Sequence, residues 1–333
     1  MELIKMYSFN KITGHADTIK SIKNSIAANK ISHAYIFNSD DSISREMVVQ
    51  TFAKTLMCEA SSVDSCNDCI SCKTFEHQNN PDVIYIDSED KKSIGVEQIR
   101  EKLIFDINIR PYQNKYKIYI IKEADTMTES AQNAILKTIE EPCEYAILIL
   151  SSTDYKKFLP TILSRCILID LKPINIEDMN KYIVDNYNKK IENVDIYSSY
   201  SEGNISKLEN IINSKEFTEF RNELIETTRM FLNLNIENII KIKKFFEQNE
   251  KKYEEILNLL YIWYRDINII KSEISTKHLI NKDKTEELNH QATELTYAYL
   301  NRIIENIQYI RENIKRNLNP KLATHVMLLN VKG

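Results

Sequence analysis

The chain has 333 residues, enough for two or three domains with a sizeable core. Its 44 Lys and Arg against 48 Asp and Glu give a net charge of −4, which argues against a broad basic surface for nucleic acid. No apolar run reaches the roughly 18 residues of a membrane-spanning helix, and Met1-Glu2-Leu3-Ile4-Lys5 lacks the apolar core of a signal peptide, so a cytoplasmic protein that contacts no membrane is expected.

In chain order, Gly14 to Asn29 carries Ile19, Ile22 and Ile26 at helical spacing, and Ser32 to Phe37 reads as a strand. The stretch Asn38–Glu46 follows, with no glycine in it; the chain has only Gly14, Gly95, Gly203 and Gly333. A helix is expected through Val48 to Met57. Then come Cys58, Cys66, Cys69 and Cys72, spaced C-x7-C-x2-C-x2-C. Four thiolates so spaced suit a closed, structural tetrahedral zinc site. The alternatives are disulfides, disfavoured in a reducing cytosol, or free buried thiols. Cys143 and Cys166 lie outside the cluster and need no special role. Pro81 to Asp87 predicts another strand and Val96 to Phe105 an amphipathic helix.

The stretch Lys117 to Cys166 organises the rest. Ile118–Ile121 and Ala146–Leu150 are short apolar runs typical of buried strands. Between them runs a helix through Ala131 to Ile139, stopped at Glu140-Glu141-Pro142 because proline disfavours helix at the residue before it. Buried strands joined by a helix read as a parallel α/β unit, whose ligands bind at the carboxyl ends of the strands. A phosphate site is therefore expected beside Glu123 and Thr153, with Arg165 one short helix further on, begun near Pro160. Near Lys172-Pro173 the α/β pattern ends. Ile176 to Asn188 and Ile191 to Asn213 read as a small helical region, and everything from Phe217 reads as helix whose apolar stripes are mostly core. Asn319-Pro320-Lys321 starts a last helix, since proline suits a first turn. The expected organisation is an α/β domain over 1–172, a small helical domain over 173–213 and an all-α domain over 214–333.

Lys-Glu-Ala-Asp after a strand, Ala-Gln-Asn-Ala-Ile-Leu-Lys-Thr-Ile-Glu-Glu-Pro on the helix, and Ser164-Arg165-Cys166 at the close together resemble the bacterial clamp-loader subunits of the AAA+ class. Within the DNA polymerase III clamp loader the resemblance is to the delta-prime type. It extends over nearly the whole chain: the cysteine spacing resembles the zinc module of delta-prime and gamma subunits, and Trp263-Tyr264-Arg265-Asp266 and Asn319-Pro320-Lys321-Leu322 resemble the C-terminal collar domain. The resemblance aligns Asn38–Glu46 with the family's nucleotide loop. A working loop needs glycines, a lysine and a magnesium-binding Ser or Thr. Here Arg45 stands for the lysine and Glu46 for the magnesium ligand, and Asp40, Asp41 and Glu46 would repel a triphosphate. Lys122 replaces the aspartate of the Asp-Glu pair, leaving only Glu123, and Ser206, beside Lys207, falls where the second sensor's arginine contacts nucleotide.

What the resemblance implies is a subunit that binds no ATP of its own and has no ATPase activity of its own. Arg165, with Ser164 beside it, serves as an arginine finger in trans to the ATP of a neighbouring gamma or tau subunit. The complex, which also contains delta, loads the sliding clamp onto primed DNA. Two alternatives compete: an ATP-hydrolysing gamma/tau-type subunit, which the missing glycines and lysine disfavour, and a free-standing zinc-containing nucleic-acid-binding protein, which the mild negative charge disfavours.

Overall fold

A computed structural model of the chain describes residues 7–60, 63–89, 91–187, 194–273, 278–314 and 319–332. The Met1–Lys5 segment, and residues 188 and 191–193 at the limits of two expected helices, lie outside the described residues. The chain divides into two compact units. One comprises the chain up to Tyr182 together with Glu202–Lys207, and the other comprises Ile183–Ser201 and Leu208–Gly333.

The first unit is built on β1 (Ala34–Asn38), β2 (Val83–Ile86), β3 (Lys117–Ile121), β4 (Ala146–Ser152) and β5 (Ile167–Asp170). They form one parallel sheet in the order β2-β3-β4-β1-β5. In register, Ala34 lies opposite Leu148, Tyr35 opposite Ile167, and Lys117 opposite Ala146. Side chains alternate between the faces of a strand, and the two cores follow that alternation. Ile36, Tyr119, Ile121, Leu148 and Leu150 pack on one face with Ile99, Leu103, Ile135 and Ile139. Tyr35, Phe37, Ile118, Ile120, Ile147 and Ile149 pack on the other with Ile22, Val48, Phe52 and Phe75. Both faces are covered, which is why these strands read as unbroken apolar runs.

The helices of this unit, in chain order, are α1 (Ala16–Ala27), α2 (Ser42–Met57), α3 (Ile70–Glu76), α4 (Val96–Ile99), α5 (Glu129–Glu140) and α6 (Pro160–Leu163). Their ends follow local chemistry. Thr128 caps α5 by accepting from the Ala131 amide at 3.2 Å, and the helix ends just before Glu141-Pro142 as expected. Two expectations are refined. The helix anticipated over Val96 to Phe105 is a short α4 that widens into a π-type turn at Arg100–Ile104. The edge strand β5 was not foreseen, because four residues with Ile167 and Leu168 exposed carry too little apolar signal.

α7 (Ile176–Tyr187) and α8 (Val194–Tyr200) follow. Within the helical region expected to run on to Asn213, Gly203 takes a left-handed φ of +76°, and α9 (Ile205–Asn213) starts after it. A Cβ at Gly203 would lie 2.3 Å from the Ile174 carbonyl oxygen, so no other residue fits there without displacement.

The second unit is helical: α10 (Lys215–Met230), α11 (Ile236–Gln248), α12 (Tyr253–Lys271), α13 (Thr285–Glu294), α14 (Tyr297–Ile314) and α15 (Pro320–Lys332). α12 is its centre, burying Ile256, Leu260, Trp263, Tyr264 and Ile267. Several buried polar groups of this unit are paired, as burial favours. The Trp263 indole donates to Gln291 at 3.1 Å, and Asp266 accepts from the amides of Ile280 and Asn281 at 3.1 and 2.8 Å. Among the described residues no helix is long and apolar enough to cross a membrane.

Candidate functional site

At the carboxyl end of β1 the chain turns through Ser39-Asp40-Asp41 into α2, the place where an α/β fold holds a phosphate. In this chain the place is filled from within. Arg45 is almost fully buried and turns back under the loop. Its Nε donates to Ser151 Oγ at 2.9 Å and its Nη1 to the Ser39 carbonyl. Burial pushes the guanidinium below its ordinary range, while Asp125, Glu123, Glu46 and Asp41 oppose that shift. Asp41 is buried too. Its carboxylate accepts from the amides of Ile43 and Ser44 at 3.2 and 3.3 Å and from Ser44 Oγ at 2.6 Å. Burial alone would raise its pKa, but the hydrogen bonds from Ser44, Ser206 and Ile205 outweigh it and hold the carboxyl below the usual range.

The groove beside this loop is lined by Ser42, Glu46, Asp87, Lys122 and Glu123 among others. Glu46 accepts from Gln50 Nε2 at 2.9 Å and lies 3.9 Å from the Lys122 ammonium, which sits 5.2 Å from the centre of the Tyr85 ring. Glu123 follows β3 with a left-handed φ of +47°. Thr153, at the end of β4, is turned to Asp125: its amide and hydroxyl donate to that carboxylate at 3.1 and 2.8 Å, and Lys157 adds a 2.9 Å ion pair. Burial would raise Asp125, but Lys157 and Thr153 hold it low. A magnesium ion would meet no Ser or Thr at position 46 and no aspartate at position 122.

The second cluster lies where α2 hands over to α3. Cys58 ends α2, Cys69 caps α3, and Cys66 and Cys72 complete the set. The four Sγ atoms lie within 4.8 Å of one another, with Cys66 and Cys72 at 4.0 Å. Thiolates about 2.3 Å from a tetrahedral zinc stand about 3.8 Å apart, so the convergence fits such an ion. Amide hydrogens reinforce it: Cys66 N to Cys58 Sγ, Cys69 N to Cys66 Sγ, and Cys72 N to Cys69 Sγ, each at 3.4 Å. The amides of Cys69 and Asp68 draw the Cys66 thiol down to about 6, whereas burial pushes Cys58 and Cys72 up. A divalent ion is the partner that reverses such a rise. The knuckle is tied to the sheet. Lys54, with no exposed surface, pairs with Glu76 and donates to Asn67 at 2.5 Å. Asn114 donates to Ser71 Oγ at 2.6 Å, and Asp82 accepts the Tyr112, Gln113 and Asn114 amides.

Arg165 stands on the turn after α6. Its side chain is 39% exposed. Nη1 donates to the Thr161 carbonyl and to Ser164 Oγ, both at 3.1 Å, and Nη2 lies 3.1 Å from Glu140 Oε1. Ser164 Oγ in turn donates to the Thr161 carbonyl at 3.0 Å. The guanidinium thus lies at the surface, held by groups that leave part of it open.

Comparison with known proteins decides the family. The profile of the DNA polymerase III delta subunit matches residues 14–175, and that of its C-terminal region matches residues 215–333. The chain belongs to the DNA polymerase III delta/delta-prime family of clamp-loader subunits. It is 26% identical to the DNA polymerase III subunit delta' of Bacillus subtilis over 95% of each chain. It is 30% identical to the subunit gamma of Buchnera aphidicola subsp. Schizaphis graminum over 75% of this chain and 70% of the relative. Against the subunit tau of Bacillus subtilis it is 27% identical over 97% of its own length, but it spans only 61% of that relative. Among solved structures, a gamma subunit-related protein of Thermotoga maritima covers 95% of this chain and 98% of its own, at 20% identity and a TM-score of 0.40. The family resemblance and the parallel AAA+ arrangement expected from the sequence are borne out.

Within this clamp-loader chain, sequence reasoning located the altered loop, the cysteines and Arg165, but not what fills the loop. Asp41 was read only as a repellent charge. Ser206 was placed as a lost sensor, yet its hydroxyl lies 2.7 Å from Asp41. The available signal was an aspartate directly before a helix, a common N-cap.

Proposed function

We propose that this chain acts in replication as a delta-prime-type subunit that binds no ATP and lends Arg165 to the ATP site of an adjoining gamma or tau subunit. The assembly, with delta, loads the sliding clamp onto primed DNA in the cytoplasm. The observation that carries the first half is a phosphate loop filled from within: Arg45 is buried and donates to Ser39 and Ser151, and Asp41 occupies the amides of Ile43 and Ser44 at the start of α2, where a phosphate would bind. Supporting the second half is an arginine whose side chain is 39% exposed and whose one ion-pair partner among the described residues, Glu140, is itself a surface carboxylate. A guanidinium can donate to two phosphate oxygens at once, which an ammonium cannot match. It stabilises charge spread over the transferring phosphoryl group. Ser164 orients it, and Glu140, at 3.1 Å, holds it in the absence of a neighbour and releases it to a stronger anion. A surface pair of this kind is worth only about 0–1 kcal/mol, so the exchange costs little.

The cysteine cluster takes one zinc ion in this reading. With four thiolates it is a closed site whose contribution is to folding. Residues 173–213 act as the lid and 214–333 as the collar through which the subunits assemble. The decisive experiment is ATP hydrolysis by the reconstituted complex carrying Arg165→Ala, with assembly followed by gel filtration. Normal turnover at the site bordering this subunit would overturn the proposal.

A further inference from the structure

Asp41 does more than cap α2. Besides Ile43, Ser44 and the Ser44 hydroxyl, its carboxylate accepts from the Ile205 amide at 2.8 Å, the Ser206 amide at 3.1 Å and Ser206 Oγ at 2.7 Å. One side chain thus receives six hydrogen bonds and closes the first turns of two helices, α2 and α9, at once. Ser206 answers in kind: its Oγ is 2.9 Å from Ser42 Oγ and accepts from the Ile43 amide at 3.0 Å. A helix start offers free amides and a positive end to an anion. Here two such starts share a single carboxylate.

We propose that Asp41 is a built-in anion that replaces bound phosphate as the clasp between the loop after β1 and the segment Glu202–Lys207. The inference goes beyond the proposed function, and it stands whether or not Arg165 serves a neighbour. A second fastening lies alongside. The Ile174 amide donates to the Gly203 carbonyl at 2.8 Å, and the left-handed turn at Gly203 brings α9 round to face Asp41. Geometry makes the residue type specific. Asparagine keeps the size but substitutes an NH2 donor for one oxygen, which would then face amide and hydroxyl donors. Glutamate, one carbon longer, would carry the carboxylate past both sets of amides. Lysine or arginine at position 206 would meet the same carboxylate as an ion pair but lose the hydroxyl that bridges to Ser42 and Ile43. The clasp needs no nucleotide, so the segment is fastened to the sheet in the chain as synthesised.

The test is amide hydrogen exchange on the full chain, read residue by residue. In Asp41→Asn, the amides of Ile43, Ser44, Ile205 and Ser206 should all exchange roughly ten-fold faster or more, as expected for lost hydrogen bonds to a charged acceptor, while Leu148 in β4 keeps its protection. If Ile205 and Ser206 keep wild-type rates while Ile43 and Ser44 accelerate, Asp41 is an ordinary cap of α2 and the inference is wrong. Ser206→Ala leaves the cap intact and guards against misfolding of the first variant. It removes only the hydroxyl, so Ile43, which loses that acceptor, should exchange faster while the amides of Ile205 and residue 206, still bonded to Asp41, stay near wild type; loss of protection at Ile205 in this variant would show that the hydroxyl and not the carboxylate is the clasp, and would likewise overturn the inference.

Discussion

Replacing Arg45 probes the loop most severely. Arg45→Ala removes two hydrogen bonds from a charged, buried donor, to Ser151 Oγ at 2.9 Å and to the Ser39 carbonyl. It also leaves Asp125, Glu123, Glu46 and Asp41 without the cation they share. Hydrogen bonds to charged groups contribute about 1.5–3 kcal/mol each. Removing one side of a buried ionic arrangement costs about 3–5 kcal/mol. The adjoining groove admits water to part of the vacated space, so a loss of about 2–4 kcal/mol is expected for the α/β unit. Arg45→Lys keeps the charge but cannot donate in two fixed directions, and about half that loss should remain. Urea unfolding monitored by circular dichroism gives the stability of each variant, and calorimetric titration with magnesium-ATP gives binding. Neither variant should gain nucleotide binding, because Asp41 still occupies the loop amides and no glycine has been restored. Wild-type stability of Arg45→Lys, or ATP binding by it in the micromolar range, would refute the reasoning.

Two further outcomes follow from the sites described. Purified protein should hold one zinc per chain, and Cys69→Ser should lose it together with several kcal/mol of stability, since structural metal binding is coupled to folding; retention of both by the variant would count against the site. Asp41 and Asp125 have carboxyl pKa values depressed in the folded chain, so their contribution is fully present above the unfolded value of about 4 and is lost as pH falls through the lower folded values. Asp125→Asn should therefore be less stable than wild type at neutral pH and lose less on acidification below about pH 4; parallel stability curves for the two proteins would contradict this.

Much of the α/β unit was legible because both faces of its sheet are covered. Strands such as Ile118–Ile121 and Ala146–Leu150 then need apolar residues at every position and announce themselves. The edge strand β5 is half exposed and silent for the same reason. The cysteines declared themselves by spacing, and their sulfurs converge. Polar partnerships were the illegible part. That Asp41 reaches Ser206, 165 residues away along the chain, or that Asp125 takes up Thr153, depends on which loops the sheet order brings side by side. A one-dimensional pattern carries no trace of that. The break at Gly203 was visible as a glycine, but the left-handed turn it permits matters because of the Ile174 carbonyl next to it, again a tertiary fact.

The most direct measurement is steady-state ATP hydrolysis by the complex reconstituted with gamma or tau, delta, sliding clamp and primed DNA, comparing wild type with Arg165→Ala and Arg165→Lys. An arginine finger is worth roughly 10³–10⁵ in rate at the one site it serves. Total turnover should therefore fall by the share of that site, with lysine restoring little and with assembly on gel filtration unchanged. Unchanged hydrolysis in a fully assembled Arg165→Ala complex would contradict the account.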